Sequence, residues 1–159
     1  MLIVKLTFLV IIANGAPIIA RQLFGHRFAC PVDVGYQFID GEPLFGRSKT
    51  LRGIAASIIG TTGFALLVGF DWKIGFLIGS TAMLGDLFSS FIKRRLKKPV
   101  SSRALGLDQI PESLLPMLAC KGLLSLTFLD ISAVVGLFFV SELLLSQILY
   151  RLRIRVRPY

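Results

Sequence analysis

Histidine, cysteine and acidic side chains are all scarce in this 159-residue sequence, and each shortage removes a class of chemistry. His26 is the single histidine, and neither a zinc-binding nor a catalytic role is expected of it. Cys30 and Cys120 have no metal-ligand neighbours at a useful spacing and read as two free thiols. Asp and Glu number 9 against 18 Lys and Arg, so the net charge is +9, yet charged residues make up only 17% of the chain. A soluble domain carries about a quarter. The difference is apolar: hydrophobic residues are 54% of the sequence and the mean hydropathy is +0.75.

Apolar residues occur in continuous runs rather than in alternation, which argues for membrane-spanning helices against a barrel. Five spans are expected, at about Leu2–Ala20, Gly53–Phe70, Ile74–Ile92, Gln109–Leu129 and Ile131–Leu152. The fold class is therefore an all-α integral membrane protein, with one membrane-embedded domain over residues 1–159. The first span lacks a basic start and a small-residue cleavage site, so it reads as a retained helix. The fourth carries Glu112, Pro116 and Lys121 and is the least regular.

Fifteen of the 18 basic residues fall in three segments: 21–52, 93–108 and the tail from Arg151. Five spans put all three on one side, which the basic bias makes cytoplasmic; the N-terminus is then outside and the protein multi-pass in the cytoplasmic membrane. A cationic face of this kind attracts anionic headgroups and phosphates. Nucleic acid is not expected as a partner, because the cations sit at helix ends and no soluble domain remains to dock a duplex. The alternating tail, Arg151-Leu152-Arg153-Ile154-Arg155-Val156-Arg157, reads as lying along the membrane surface. Lys121 and Glu142 fall at similar depth in the last two spans and are expected to pair.

The chemistry lies where the spans meet the cytoplasm. In Ala13-Asn14-Gly15-Ala16-Pro17, Asn14 sits roughly 9 Å below the end of the first span; it is either packing glue between helices or a site residue. In Gly85-Asp86…Ser90…Lys93-Arg94-Arg95, Asp86, Ser90 and Lys93 share a helix face. A carboxylate at this depth marks an ion pair, with Lys93 or Arg94, or a divalent-metal ligand reached from the cytoplasm. Asp108 begins the fourth span as an N-cap or as a second carboxylate facing Asp86. Two carboxylates among lysines and arginines suit Mg²⁺ with a polyphosphate. The first loop ends Gly46-Arg47-Ser48-Lys49-Thr50-Leu51-Arg52, with cations, hydroxyls and backbone donors just before a helix, a natural phosphate site. It is not a Walker A loop, since Arg47 stands where that pattern requires lysine.

These pieces resemble the CDP-archaeol synthase family, CTP-dependent cytidylyltransferases of membrane lipid synthesis. Ala13–Pro17, Pro31, Asp33, the run Asp40–Gly53, Leu84-Gly85-Asp86, Ser90–Arg95 and Leu107-Asp108-Gln109 carry the resemblance over essentially the whole chain. The order Gly-Asp…Ser…Lys-Arg…Asp is more distantly similar to the larger phosphatidate cytidylyltransferases. The resemblance implies that a lipid phosphate monoester attacks the α-phosphate of CTP, giving CDP-lipid and pyrophosphate. It implies Mg²⁺ on Asp86 and Asp108, with Lys93 and Arg94 catalytic, and Asn14, Arg47, Ser48, Lys49, Thr50, Arg52 and Ser90 binding nucleotide or phosphate. Asp33 and the loop aromatics are expected near the cytidine. One departure concerns the second carboxylate of the family pattern: Pro111 stands at its place and Glu112 follows, so that the family's second metal ligand is either missing here or supplied by Glu112. The lipid is an archaeal-type ether phosphate or phosphatidate. Two other classes stay open on the residues alone, a small membrane transporter and a structural subunit of a membrane complex.

Overall fold

The computed structural model describes residues 1–100, 102 and 104–151. Its five helices are α1 Leu2–Phe24, α2 Leu51–Leu67, α3 Trp72–Arg95, α4 Gln109–Cys120 and α5 Phe128–Arg151. The all-helical expectation holds. α1, α3 and Phe128–Gln147 of α5 are long and apolar enough to cross a membrane, and α2 is a shorter apolar helix. The interior is built from Leu6, Leu9 and Val10 of α1, Ile78 of α3, Met117 of α4 and Phe138 of α5. Many large apolar side chains point outward, among them Val4, Phe8, Ile59 and Leu144. On a helix bundle such an apolar exterior is covered by lipid tails rather than water.

Small residues set how closely the helices approach. A Cβ added at Gly75 would stand 2.6 Å from both Ala65 Cβ and Thr62 Cα, so α2 and α3 touch backbone to backbone there. One turn on, a Cβ added at Gly79 would stand 3.0 Å from Ile58 Cα. Further along α3, a Cβ at Gly85 would fall 2.3 Å from the carbonyl oxygen of Pro111 and 2.8 Å from the amide of Glu112. That third contact seats the start of α4 directly on the middle of α3.

The fourth span differs from expectation. α4 stops at Cys120 after 12 residues, about 18 Å at the α-helical rise, which is short of a bilayer core. The chain then turns through Lys121–Ser125, with Ser125 at φ 51 and the Leu126 amide bonded back to Lys121 O at 3.0 Å. α5 begins earlier than expected, at Phe128, because Thr127 and Asp130 cap it reciprocally: Asp130 Oδ2 accepts from Thr127 N at 2.9 Å, and Thr127 Oγ1 accepts from Asp130 N at 3.1 Å. The shorter α4 also overturns the expected Lys121–Glu142 pair. Lys121 instead holds its ammonium 3.6 Å from the centre of the Phe128 ring, while Glu142 faces a cavity beside Glu112. The tail from Leu152 lies outside the described residues, as does Arg103.

Candidate active site

The loop between α1 and α2 is ordered by its own polar groups. Asp33 is 7% exposed and accepts three backbone bonds: from Gly46 N at 2.8 Å and Phe45 N at 3.1 Å on Oδ2, and from Gly35 N at 3.1 Å on Oδ1. Gly46 adopts φ 92, a left-handed conformation that glycine takes without strain. Residues 36–44 double back, with Phe38 N on Glu42 O at 2.8 Å and Leu44 N on Tyr36 O at 3.2 Å. Arg95 clamps this hairpin to the end of α3. Its guanidinium stacks over Phe38 at 4.7 Å and Phe91 at 4.9 Å, and its Nε meets Asp40 at 2.8 Å. Asp33 is thus turned into its own loop, where it orders the segment leading to Arg47–Thr50.

Burial alone raises the pKa of the Asp33 carboxyl, but the three amide donors outweigh it and hold the group below its ordinary value of 3.8. The stability this gives is complete above that ordinary value and is lost as pH falls through the depressed one. Asp33→Asn is expected to destabilise the protein by roughly 1–3 kcal/mol, since an amide presents donors to donors. In detergent, wild-type thermal stability should drop as pH falls from about 5 to about 3, and the variant should be less stable but with a shallower acid slope, the remainder coming from ion-paired carboxylates such as Asp40 and Asp108. An unchanged acid slope in the variant would remove Asp33 as its source.

With the loop fixed, Lys49 O accepts from Val32 N at 2.9 Å and Lys49 N donates to Gly46 O at 3.1 Å. Thr50 caps α2 by accepting from Gly53 N at 3.2 Å. The Lys49 side chain then crosses to α3, where its Nζ meets Asp86 Oδ1 at 2.5 Å and Oδ2 at 2.6 Å. Neither partner named in advance for an Asp86 ion pair, Lys93 or Arg94, fills that place. Both side chains of the observed pair keep about a fifth of their surface exposed, 22% and 20%. The Glu112 carboxyl lies against Asp86 from α4, which the close contact of Gly85 with Pro111 makes possible.

Two cavities meet at this ion pair. The larger, about 670 Å³, is walled by Arg21, Arg47, Ser48, Lys49, Thr50 and Arg52 around Asp86. The smaller, about 280 Å³, lies between α1, α3, α4 and α5 and is lined by Asn14, Lys49, Asp86, Glu112 and Glu142 together with apolar side chains such as Phe138. Arg52 is braced while it lines the cleft, with Nη1 donating to Gly25 O at 3.0 Å and Arg27 O at 2.5 Å. Asn14 donates to Val10 O at 3.0 Å through Nδ2 while lining the smaller cavity.

The remaining expected residues sit elsewhere. Lys93 Nζ bonds Asp108 Oδ1 at 2.6 Å and Ser102 O at 3.1 Å. Asp108 Oδ2 accepts from Ala104 N at 2.9 Å, and Arg94 donates to Pro99 O at 2.8 Å. These three hold the loop after α3, and none of them lines either cavity. Ser90 is buried at 2% exposure, also outside both linings. Asp108 therefore does not face Asp86 across the pocket. Glu112, one turn further along α4, takes that position. Asp108 heads α4 but makes no capping bond. Arg21, His26 and Glu142 enter the cavities without having been expected there.

Among the described residues no group of three His, Cys, Asp or Glu side chains is arranged to hold a metal ion by itself. Asp86 and Glu112 do fit the usual protein share of a Mg²⁺ shell, one or two carboxylates with the rest from phosphate and water.

Comparison with known proteins agrees with this architecture. The CarS-like, CDP-archaeol synthase family model matches residues 64–159. The chain is similar to the CDP-archaeol synthase of Sulfurisphaera tokodaii, 34% identical with 94% of this chain and 90% of the relative covered. It is also similar to that of Saccharolobus islandicus, 36% identical over 93% and 89%, and that of Pyrobaculum calidifontis, 32% identical over 93% and 91%. A solved structure of an intramembrane enzyme for archaeal membrane lipid biosynthesis superposes with a TM-score of 0.72 at 27% identity, covering 88% of this chain and 89% of that one.

Proposed function

The chain belongs to the CDP-archaeol synthase family, and on that premise we propose how its two cavities carry out CTP-dependent cytidylyl transfer to a membrane lipid phosphate. The multi-pass helical fold places the protein in a bilayer. The relatives are enzymes, which sets aside the transporter and structural-subunit readings. The observation that carries the proposal is the Lys49–Asp86 pair, which forms a wall common to a cationic cleft and an acidic, partly apolar one.

CTP lies in the larger cleft, with its phosphates toward Arg47, Ser48, Lys49 and the N-terminus of α2. There the dipole and the cations act together on a polyanion. The lipid phosphate enters from the smaller cavity, whose apolar wall suits the first carbons of the chains. Its oxygen attacks the α-phosphorus, a new P–O bond forms, the bond to the β-phosphate bridge breaks, and pyrophosphate leaves with the electron pair. No covalent enzyme intermediate is required. Arg47 and Lys49 offset the charge that grows on the leaving group, and Arg52 shapes the cleft from its braced position. Preorganised charge of this kind supplies most of the rate in phosphoryl-type transfer. Asp86 and Glu112 would hold Mg²⁺, which supplies charge neutralisation between the two anionic reactants when bound. Asp108, through Lys93, holds the segment after α3, whose Val100 borders the cleft.

The basic segments put both cavities' polar end on the cytoplasmic side, the N-terminus outside and CTP within reach of its pool. An archaeal-type ether lipid phosphate is the favoured acceptor, because the relatives named above are archaeal enzymes of that type. The test is pyrophosphate release by purified protein with Mg²⁺ and CTP, offered an isoprenoid-ether glycerol phosphate or phosphatidate, with ATP as the control nucleotide. Release with CTP and the ether lipid, and little with ATP, is expected. Equal release with phosphatidate would widen the acceptor, and no release with either lipid in folded protein would sink the assignment.

A further inference from the structure

Lys49 is the only cation among the described residues that lines both cavities. Its ammonium contacts both oxygens of Asp86, in the place a metal ligand's cation takes. Glu112 adjoins Asp86, and Glu142 faces the same small cavity. Asp86 and Glu112 thus adjoin in a mostly apolar pocket where Lys49 is the one lining cation among the described residues, and a partly buried carboxylate that loses its cation is destabilised. The Lys49 backbone is pinned on both sides by Val32 and Gly46, whereas a lysine's four-carbon stem is intrinsically flexible. The side chain also borders the larger cleft, so it reaches the phosphate side without any movement of the chain.

Resting on the cytidylyltransferase reading, we propose that Lys49 is a built-in counter-cation for Asp86, surrendered to the triphosphate only when a metal–nucleotide complex arrives. An ammonium and a divalent cation cannot share one carboxylate a few ångströms apart without strong repulsion. The divalent cation therefore gains access to Asp86 only when something else accepts the lysine, and the polyphosphate of CTP is that acceptor. The consequence is an order of binding: the protein excludes the free divalent cation and admits it with nucleotide. Asp86 and Glu112 are kept from collecting metal between turnovers.

The test is Mn²⁺ binding to detergent-purified protein without nucleotide, read by electron paramagnetic resonance. Lys49→Met is expected to bind Mn²⁺ at least about tenfold more tightly than wild type, one decade in the equilibrium constant. Lys49→Arg should stay near wild type, because the charge remains. The gain should vanish in Lys49→Met/Asp86→Asn, which ties it to Asp86. Lys49→Gln serves the same purpose where the methionine variant does not fold. No tightening in the folded neutral variants, or a gain that survives Asp86→Asn, would overturn the proposal. Failure of the cytidylyltransferase reading shows separately, as wild-type protein that releases no pyrophosphate, and leaves the Mn²⁺ comparison interpretable.

Discussion

Asp86→Asn should lower pyrophosphate release by about a hundredfold to a thousandfold, while the protein stays folded in detergent. The amide keeps the volume of the carboxylate but removes its charge, so Lys49 loses its partner and the proposed cation site loses its central ligand. Breaking a fully buried pair is strongly destabilising, but both members keep about a fifth of their surface in contact with the cleft. Water there replaces part of what is lost, and the effect falls on the reaction more than on the fold. Glu112→Gln is expected to lose nearly as much activity, because Glu112 shares the position. Asp108→Asn should lose far less than either, since Asp108 is held by Lys93 and Ala104 away from both cavities. An equal loss in folded Asp108→Asn would transfer the second donor role from Glu112 to Asp108, as the family order of residues implies.

The choice between Glu112 and Asp108 shows where the sequence stops being readable. Spacing along α3 places Asp86 at the right depth, and the composition of Arg47–Arg52 announces a phosphate site, because both are local properties of one segment. The partner of Asp86 is not local. Lys93 and Arg94 are neighbours of Asp86 in sequence and on the same helix, yet Lys49 from another segment takes the carboxylate. What brings it there is the loop fold around Asp33, whose three amide bonds no periodicity reveals. The same limit applies to Arg95, legible as one more helix-end cation but in fact the clamp between α3 and the hairpin. Span lengths fail for a different reason. Hydropathy counts apolar residues and continues through Lys121-Gly122-Leu123-Leu124, where the backbone turns. The capping pair Thr127 and Asp130 was a readable start signal for α5 and outweighs hydropathy once its spacing is considered. Glu142 was misplaced along with that boundary.

Gly85→Ala should be the most damaging single methyl group in the chain. Its Cβ would fall 2.3 Å from Pro111 O and 2.6 Å from Pro111 C, both backbone atoms that no side-chain rotation can relieve. α4 must therefore lift away from α3. Overpacking of a close helix contact costs about 1–3 kcal/mol, and more where the neighbour is rigid. The functional loss should exceed what that destabilisation alone explains. Lifting α4 separates Glu112 from Asp86, the adjacent residues on the two helices, and misplacement by about 1 Å costs on the order of a hundredfold in positioned chemistry. Gly63→Ala is the matched control, a glycine on α2 with nothing within 4 Å of the added Cβ. There alanine should be neutral or stabilising by up to about 1 kcal/mol through helix propensity. Thermal unfolding and pyrophosphate release of the two variants in parallel decide the matter. If Gly85→Ala unfolds like wild type and keeps its activity, α3 and α4 are not held at this distance, and the Asp86–Glu112 site loses its structural basis.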